Sequence, residues 1–253
     1  MTYIIASLFF SSINLGILGC IVLWQRLINI GDTLAHAIIF SLVIEYFFHV
    51  PLAIGSIIVA LVFILSSSFF AFKKSDQNIS MIVFSSAMIA LTILTSEIVG
   101  GSFKLKDFMV GDILSSGYIE VLTSSSIGLI LIMFLHFKFK ELVLVSVSSE
   151  LASVNGINSE RIKFFVNMIL AVSIAISIQL IGILLMTSFL IIPASIARMF
   201  SKSPKQMIFL SVLISTLVSF ISLILSISFD VGFSACAILS LASLYVCGSF
   251  MKR

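Results

Sequence analysis

Asp32 and His36 stand four residues apart in the stretch Asn29–Ile39, which reads Asn-Ile-Gly-Asp-Thr-Leu-Ala-His-Ala-Ile-Ile. On a helix that spacing puts a carboxylate and an imidazole on one face, one above the other. Together they offer an oxygen and a nitrogen donor, a set that suits a borderline divalent cation such as zinc or manganese. The residues around them are apolar and open what should be a membrane-spanning helix. An ionised Asp near the bilayer centre costs about 2.5–3.5 kcal/mol on insertion scales, so such groups usually turn to a bundle interior or a water-filled path. The pair reads as part of an ion path, and the plainer alternative is a buried structural hydrogen bond.

Other ionisable residues are scarce enough for each to need a reason. Glu45 and His49 repeat the four-residue spacing further along the same span. They form either a vestibule at its far end or, for His49, a solvated helix end. Asp230 lies between the last two apolar runs and precedes Val-Gly-Phe-Ser, where it is a cation ligand or a turn and cap residue. Glu97 and Asp112 flank the short segment after the fourth apolar run, and interface placement accounts for them. Cys20, Cys236 and Cys247 sit in apolar runs without CxxC spacing and read as packing residues.

The elements that must position these groups are membrane helices. Of 253 residues, 60% are hydrophobic and 10% charged, and the mean hydropathy of +1.28 excludes an ordinary soluble domain. A spanning helix needs about 20 mainly apolar residues. Runs of that kind fall near 4–24, 34–49, 51–72, 79–98, 119–137, 163–181, 182–200, 206–228 and 232–250. The expectation is an all-α, polytopic bundle of eight or nine spans with discontinuous helices, forming one transmembrane domain over residues 1–253. The first run has no basic n-region or small-residue cleavage site and reads as a span, not a signal peptide. Basic residues cluster at Arg26, Lys73–Lys74, Lys138–Lys140, Arg161–Lys163, Arg198–Lys205 and Lys252–Arg253. With nine crossings all of them fall on one side, which the positive-inside rule makes cytoplasmic, together with the C-terminus. Lys104 and Lys106, in an outer or re-entrant segment, run against that rule. No basic face interleaved with aromatics points to nucleic acid.

Two further stretches carry organisation. The longest polar interval is 138–163, and within it Ser148–Gly156 reads as a short helix capped by Ser148 or Ser149 and stopped at Asn155-Gly156. Leu151 and Val154 share one of its faces, so it is a docking element or a connector on the bilayer surface. In Gly182–Ala194, Pro193 removes a backbone hydrogen bond inside an apolar span. In lipid such a break is repaired from within the bundle, which turns Thr187, Ser188 and Pro193 inward. No G-x-x-x-x-G-K-[ST] motif occurs, so an ATP-driven process would need its motor on another polypeptide. HExxH and GxSxG are missing too, which weakens a hydrolase reading.

The residues Gly31-Asp32-Thr33-Leu34-Ala35-His36-Ala37, Val110-Gly111-Asp112-Ile113-Leu114, Leu151-Ala152 through Gly156-Ile157 with Arg161, and Gly182 through Pro193-Ala194 with Ala197-Arg198 resemble the ZnuB-like permeases. These are the membrane subunits of zinc, manganese and iron ABC importers. The resemblance implies a transporter subunit of the bacterial inner membrane with no enzyme activity or bound cofactor of its own, whose cargo is a divalent metal ion. It places Asp32 and His36 on the metal path with Asp230 near it, and assigns coupling to the ATPase to Glu150, Leu151, Val154, Gly156 and Arg161. It also implies the partners: an ABC ATPase subunit, an extracytoplasmic metal-binding protein and a second permease copy. After Asp230 the family usually has Pro and then Gly, where this chain has Gly232 and Ser234. Zinc is the favoured cargo, although manganese and ferrous iron accept the same ligands. The rival expectation is a stand-alone proton-coupled carrier using Asp32, His36, Glu45 and Glu97.

Overall fold

A computed structural model describes residues 2–71, 77–100, 108–109, 111 and 117–251. Asp112, Lys73, Lys74, Lys104, Lys106, Lys252 and Arg253 lie outside the described residues. The described chain is helical, in the order α1 (Thr2–Trp24), α2 (Ile28–Ile38), α3 (Ser41–Phe48), α4 (Leu52–Ala71), α5 (Gln77–Ile98), α6 (Tyr118–Val147), α7 (Ser149–Val154), α8 (Ser159–Phe200), α9 (Pro204–Phe229) and α10 (Phe233–Met251). Among the described residues seven stretches, α2 and α3 counted as one, are long and apolar enough to cross a membrane, and α4 adds a shorter apolar helix.

The longest helix, α8, has 42 residues, roughly 63 Å if unbroken and twice the thickness of a hydrocarbon core. It does not run straight. Its early residues Arg161–Asn167 lie with Trp24–Leu27 at the C-terminal end of α1. Ile181 and Leu185 lie with Leu8–Leu15 near the N-terminal end, and Ala194 and Ala197 are back beside Cys20 and Leu23. The two stretches therefore run in opposite directions. The turn is Gly182, whose φ of 77° and ψ of 165° are non-helical and suit a residue without a Cβ. Dividing α8 here gives nine apolar stretches among the described residues, within the eight or nine expected.

The expected break at Pro193 is corrected by this geometry. Pro193 is buried within a continuing helix, and the interruption belongs to Gly182. Gly111, with φ of 76°, comes so close to the turn that a Cβ on it would collide with the backbone of Ile181 and Gly182. The described part of the 100–118 segment thus passes against the α8 turn, and Phe108 beside it is buried.

Helices α1 and α8 form the centre, each burying 67% of its most apolar window, whereas α5 and α6 bury 22% and lie at the periphery. With no hydrophobic drive between helices in lipid, close packing and hydroxyl bonds hold such a bundle. A serine seam does so between α1 and α9. Ser211 Oγ donates to Gly16 O at 2.8 Å, and Ser215 Oγ donates to Ser12 O at 2.8 Å and to Val212 O in its own helix at 3.0 Å. Asn14 Nδ2 ties α1 to α6 through Ser124 O at 2.8 Å. Helix α6 runs on to Val147, past the predicted end of its span at 137. No Gly or Pro stops it there, and Lys138 Nζ pairs with Glu141 Oε1 at 2.6 Å on its solvated extension.

Candidate metal-translocation site

Helix α2 starts at Ile28, earlier than the predicted 34, so Asp32 and His36 both lie inside it. Two glycines set its rotation. A Cβ on Gly19 of α1 would collide with the Leu190 carbonyl oxygen, and one on Gly31 of α2 would lie 2.6 Å from Leu190 Cδ2. Both helices therefore close on α8 at Leu190. With that contact made, Ile30, Leu34, Ala35, Ala37 and Ile38 are buried, and the opposite face turns out. Thr33 is used locally, its hydroxyl donating to Asn29 O at 2.9 Å.

On the outward face His36 Nδ1 stands 3.7 Å from Asp32 Oδ2, with side chains 39% and 61% exposed. That separation is an ion-pair distance and too long for a direct hydrogen bond, so neither group's donor capacity is consumed by the other. Three residues beyond His36 the helix pinches. Ile39 N–H donates to His36 O and Phe40 N–H to Ala37 O, a tighter 3₁₀-type pattern that separates α2 from α3. The predicted span 34–49 is thus discontinuous. Ser41, the first residue of α3, is held by a polar chain in which Gln179 Nε2 donates to Ser56 Oγ at 3.2 Å and Ser56 Oγ to Ser41 Oγ at 3.3 Å. Sequence reading missed this chain, since lone Ser and Gln residues in separate apolar runs give no signal of meeting.

The remaining expected residues are dispersed. Asp230 caps α9 in a left-handed conformation (φ 53°) and is exposed. Met207, near the start of α9, accepts from Trp24 Nε1, at the end of the bundle from which α2 sets out. Asp230 is about 35 Å further along α9, whereas Asp32 is about 6 Å into α2, so the structure does not bring Asp230 to the pair. Glu45 and His49 are exposed, and His49 closes α3 with φ of 53°, its N–H donating to Glu45 O. Glu97 is exposed near the end of α5. Among the described residues no three His, Cys, Asp or Glu side chains gather in a metal-holding group.

The short helix α7 forms as its sequence predicts. Ser148 Oγ accepts from Leu151 N–H at 3.3 Å, and Gly156 (φ 74°) lets Ile157 N–H reach back to Ala152 O at 2.9 Å, a C-terminal closure of the Schellman kind. Asn158 Oδ1 then caps α8 through Arg161 N–H at 3.1 Å. Ala152 is fully buried, and Leu151 and Val154 are exposed. Glu150, Gly156 and Arg161 are exposed around them.

The ABC 3 transport family matches residues 1–252. The chain belongs to that family. Among ABC 3 relatives it is 28% identical over 242 residues to the high-affinity zinc uptake system membrane protein ZnuB of Haemophilus influenzae, covering 93% of this chain and 91% of that one. It is 26% identical to the manganese import system permease protein ScaB of Streptococcus gordonii, covering 93% and 85%. Its fold is that of PsaBC from Streptococcus pneumoniae in complex with Fab, with a TM-score of 0.85 at 22% identity over 98% of this chain and 90% of that one. This ABC 3 member is a multi-pass membrane permease.

Proposed function

We propose that this permease carries a divalent transition-metal ion, zinc in the first place, into the cell across the bacterial inner membrane. The observation that carries the reading is the Asp32–His36 pair, 3.7 Å apart with neither side chain buried, on α2, the first part of an apolar stretch, Ile28–Phe48, long enough to span the bilayer. On one copy of the chain that face would meet lipid, where a carboxylate is costly. A second copy of the chain set against it removes the cost and encloses a polar path. Two such pairs then offer oxygen and nitrogen donors to the ion, bound loosely enough to be released, unlike a closed four-ligand structural zinc site. A separate ABC ATPase docks on α7, an extracytoplasmic metal-binding protein delivers the ion, and the C-terminus is cytoplasmic. Alternation between outward and inward openings moves the ion. Zinc is supported by the imidazole and by likeness to ZnuB.

The test is Asp32→Asn in cells lacking the native chain, with zinc, manganese and iron uptake measured at matched expression. Uptake is expected to fall about tenfold or more, the loss of one charged ligand contact worth about 1.4 kcal/mol. Unchanged uptake of all three metals would remove Asp32 from the path.

A further inference from the structure

The two pieces of the interrupted span, α2 and α3, are held by different arms of the α8 hairpin. Helix α2, which carries Asp32 and His36, closes on Leu190 beyond the turn, where a Cβ on Gly31 would lie 2.6 Å from Leu190 Cδ2. Helix α3 is held from before the turn. Gln179, one helical turn ahead of Gly182, donates through Nε2 to Ser56 Oγ of α4 at 3.2 Å, and Ser56 Oγ meets Ser41 Oγ of α3 at 3.3 Å. Ser41 and Ser56 are both fully buried, and a Cβ on Gly55 would stand in ordinary contact with Ser41, 3.5 Å from its carbonyl oxygen. Between the two holds lies the pinch at Ile39-Phe40. There Leu42 N–H goes to Ile39 O, so Ile38 O does not receive the bond that an uninterrupted helix would give it. Ile39 and Phe40 are half-buried and follow His36 at the spacing that shares its face.

The hydroxyl of Ser56 does not need Ser41. A serine in hydrocarbon is satisfied by the carbonyl four residues back, and Ser56 Oγ has Leu52 O at 2.7 Å. Its one proton thus has two acceptors in reach, Leu52 O in its own helix and Ser41 Oγ across the gap. The cross-helix bond can open while Ser56 keeps a partner, and a restored helix through 38–41 would offer the Ser41 hydroxyl the carbonyl of Ala37 in return. Gln179 is costlier to place in a span, and its amide donates to the middle of this chain. A pinch with shifted hydrogen bonds between two separately held pieces is the arrangement of a hinge. We propose that Gln179 is a positioning residue for ion passage: through Ser56 and Ser41 it fixes α3, so that movement between the arms of α8 is taken up at Ile39-Phe40 and turns α2, with Asp32 and His36, as one piece. The proposal rests on the reading that this pair lines the ion path.

The experiment uses the full chain in proteoliposomes with the P-loop ATPase that copurifies with it and the metal-binding protein, and zinc as the probe. Zinc moved per ATP hydrolysed is measured for wild type, Gln179→Met, Ser41→Ala, the two combined, and Asp32→Asn. A loss of folded protein lowers transport and hydrolysis together and leaves that ratio unchanged, so a merely structural role would not move it. Support is a fall of threefold or more in each single variant, with the double variant no lower than the worse of the two, because both cut the same chain. Gln179→Met keeps the side-chain length and removes its polar end; if it does not fold, Ser41→Ala, a smaller change on another helix, decides alone by the same threshold. A ratio within threefold of wild type in either folded single variant, while Asp32→Asn lowers it about tenfold, overturns the positioning role and leaves the pair on the path. A double variant that falls a further threefold overturns it too, since the two residues then act separately. An unchanged ratio in Asp32→Asn, or no zinc transport by the wild-type assembly, sinks the path reading and the positioning role with it.

Discussion

The stretch Ile28–His49 contains the same short pattern twice, an acid followed four residues later by a histidine, with different outcomes. Asp32 and His36 meet at 3.7 Å on a continuous helical turn. Glu45 and His49 do not pair. His49 adopts φ of 53° and closes α3, because the following Val50-Pro51 cannot continue a helix. What separates them is the support underneath. The first pair stands on a helix whose back is fixed by Gly31 and Gly19 against Leu190, while the second stands on the last turn of an eight-residue helix. Spacing nominates a pair of side chains, and packing on the far side of the helix decides whether they work together.

The contrast can be broken at its support. Gly19→Ala drives a Cβ into the Leu190 carbonyl, and overpacking against backbone costs about 1–3 kcal/mol. Folded yield and melting temperature in detergent should drop by the largest margin of any change described here, and an unshifted melting curve would show that the clamp does not hold α2. Next in size is function. His36→Ala should lose zinc uptake by about tenfold, about 1.4 kcal/mol, while His49→Ala stays within twofold at matched expression; equal losses would erase the distinction between the pairs. Glycine then sharpens it with opposite signs. His49→Gly relieves a left-handed residue and should stabilise by about 1 kcal/mol, whereas His36→Gly, inside a helix, should destabilise by about 1 kcal/mol, both read from thermal unfolding. The smallest effect is Gly31→Ala, which meets only the flexible end of Leu190; its melting temperature should shift by less than half of the Gly19→Ala shift.

Much of the architecture was legible because lipid imposes one demand on every span. The apolar runs, the capped helix at Ser148 and the stop at Gly156 all appear where their residues call for them. The turn at 181–182 was legible as a boundary between runs, but Pro193 was the more conspicuous residue. Its ring matches the helical φ near −65° and forfeits one backbone hydrogen bond without reversing the chain, whereas a reversal needs the positive φ that Gly182 provides. The interruption after Ile38 left no trace in the sequence, since Ile39 and Phe40 keep right-handed dihedrals and shift only their hydrogen-bond partners. The position of Asp230 was legible only through the count of crossings. Which end of the bundle a loop residue occupies depends on the parity of crossings, and a helix of 26 residues carries it to the far side from α2's start.

The serine seam bears on how the chain is built before it folds. Ser215 and Ser219 of α9 already donate to carbonyls three residues back in their own helix, and Thr216 to one four residues back. Such a segment can leave the translocon alone, its hydroxyls quenched, at little expense to insertion. When α1 arrives, Ser215 has only to share its proton with Ser12. Biogenesis and assembly thus draw on the same hydroxyls in turn, and a helix rich in serine remains both insertable and adhesive.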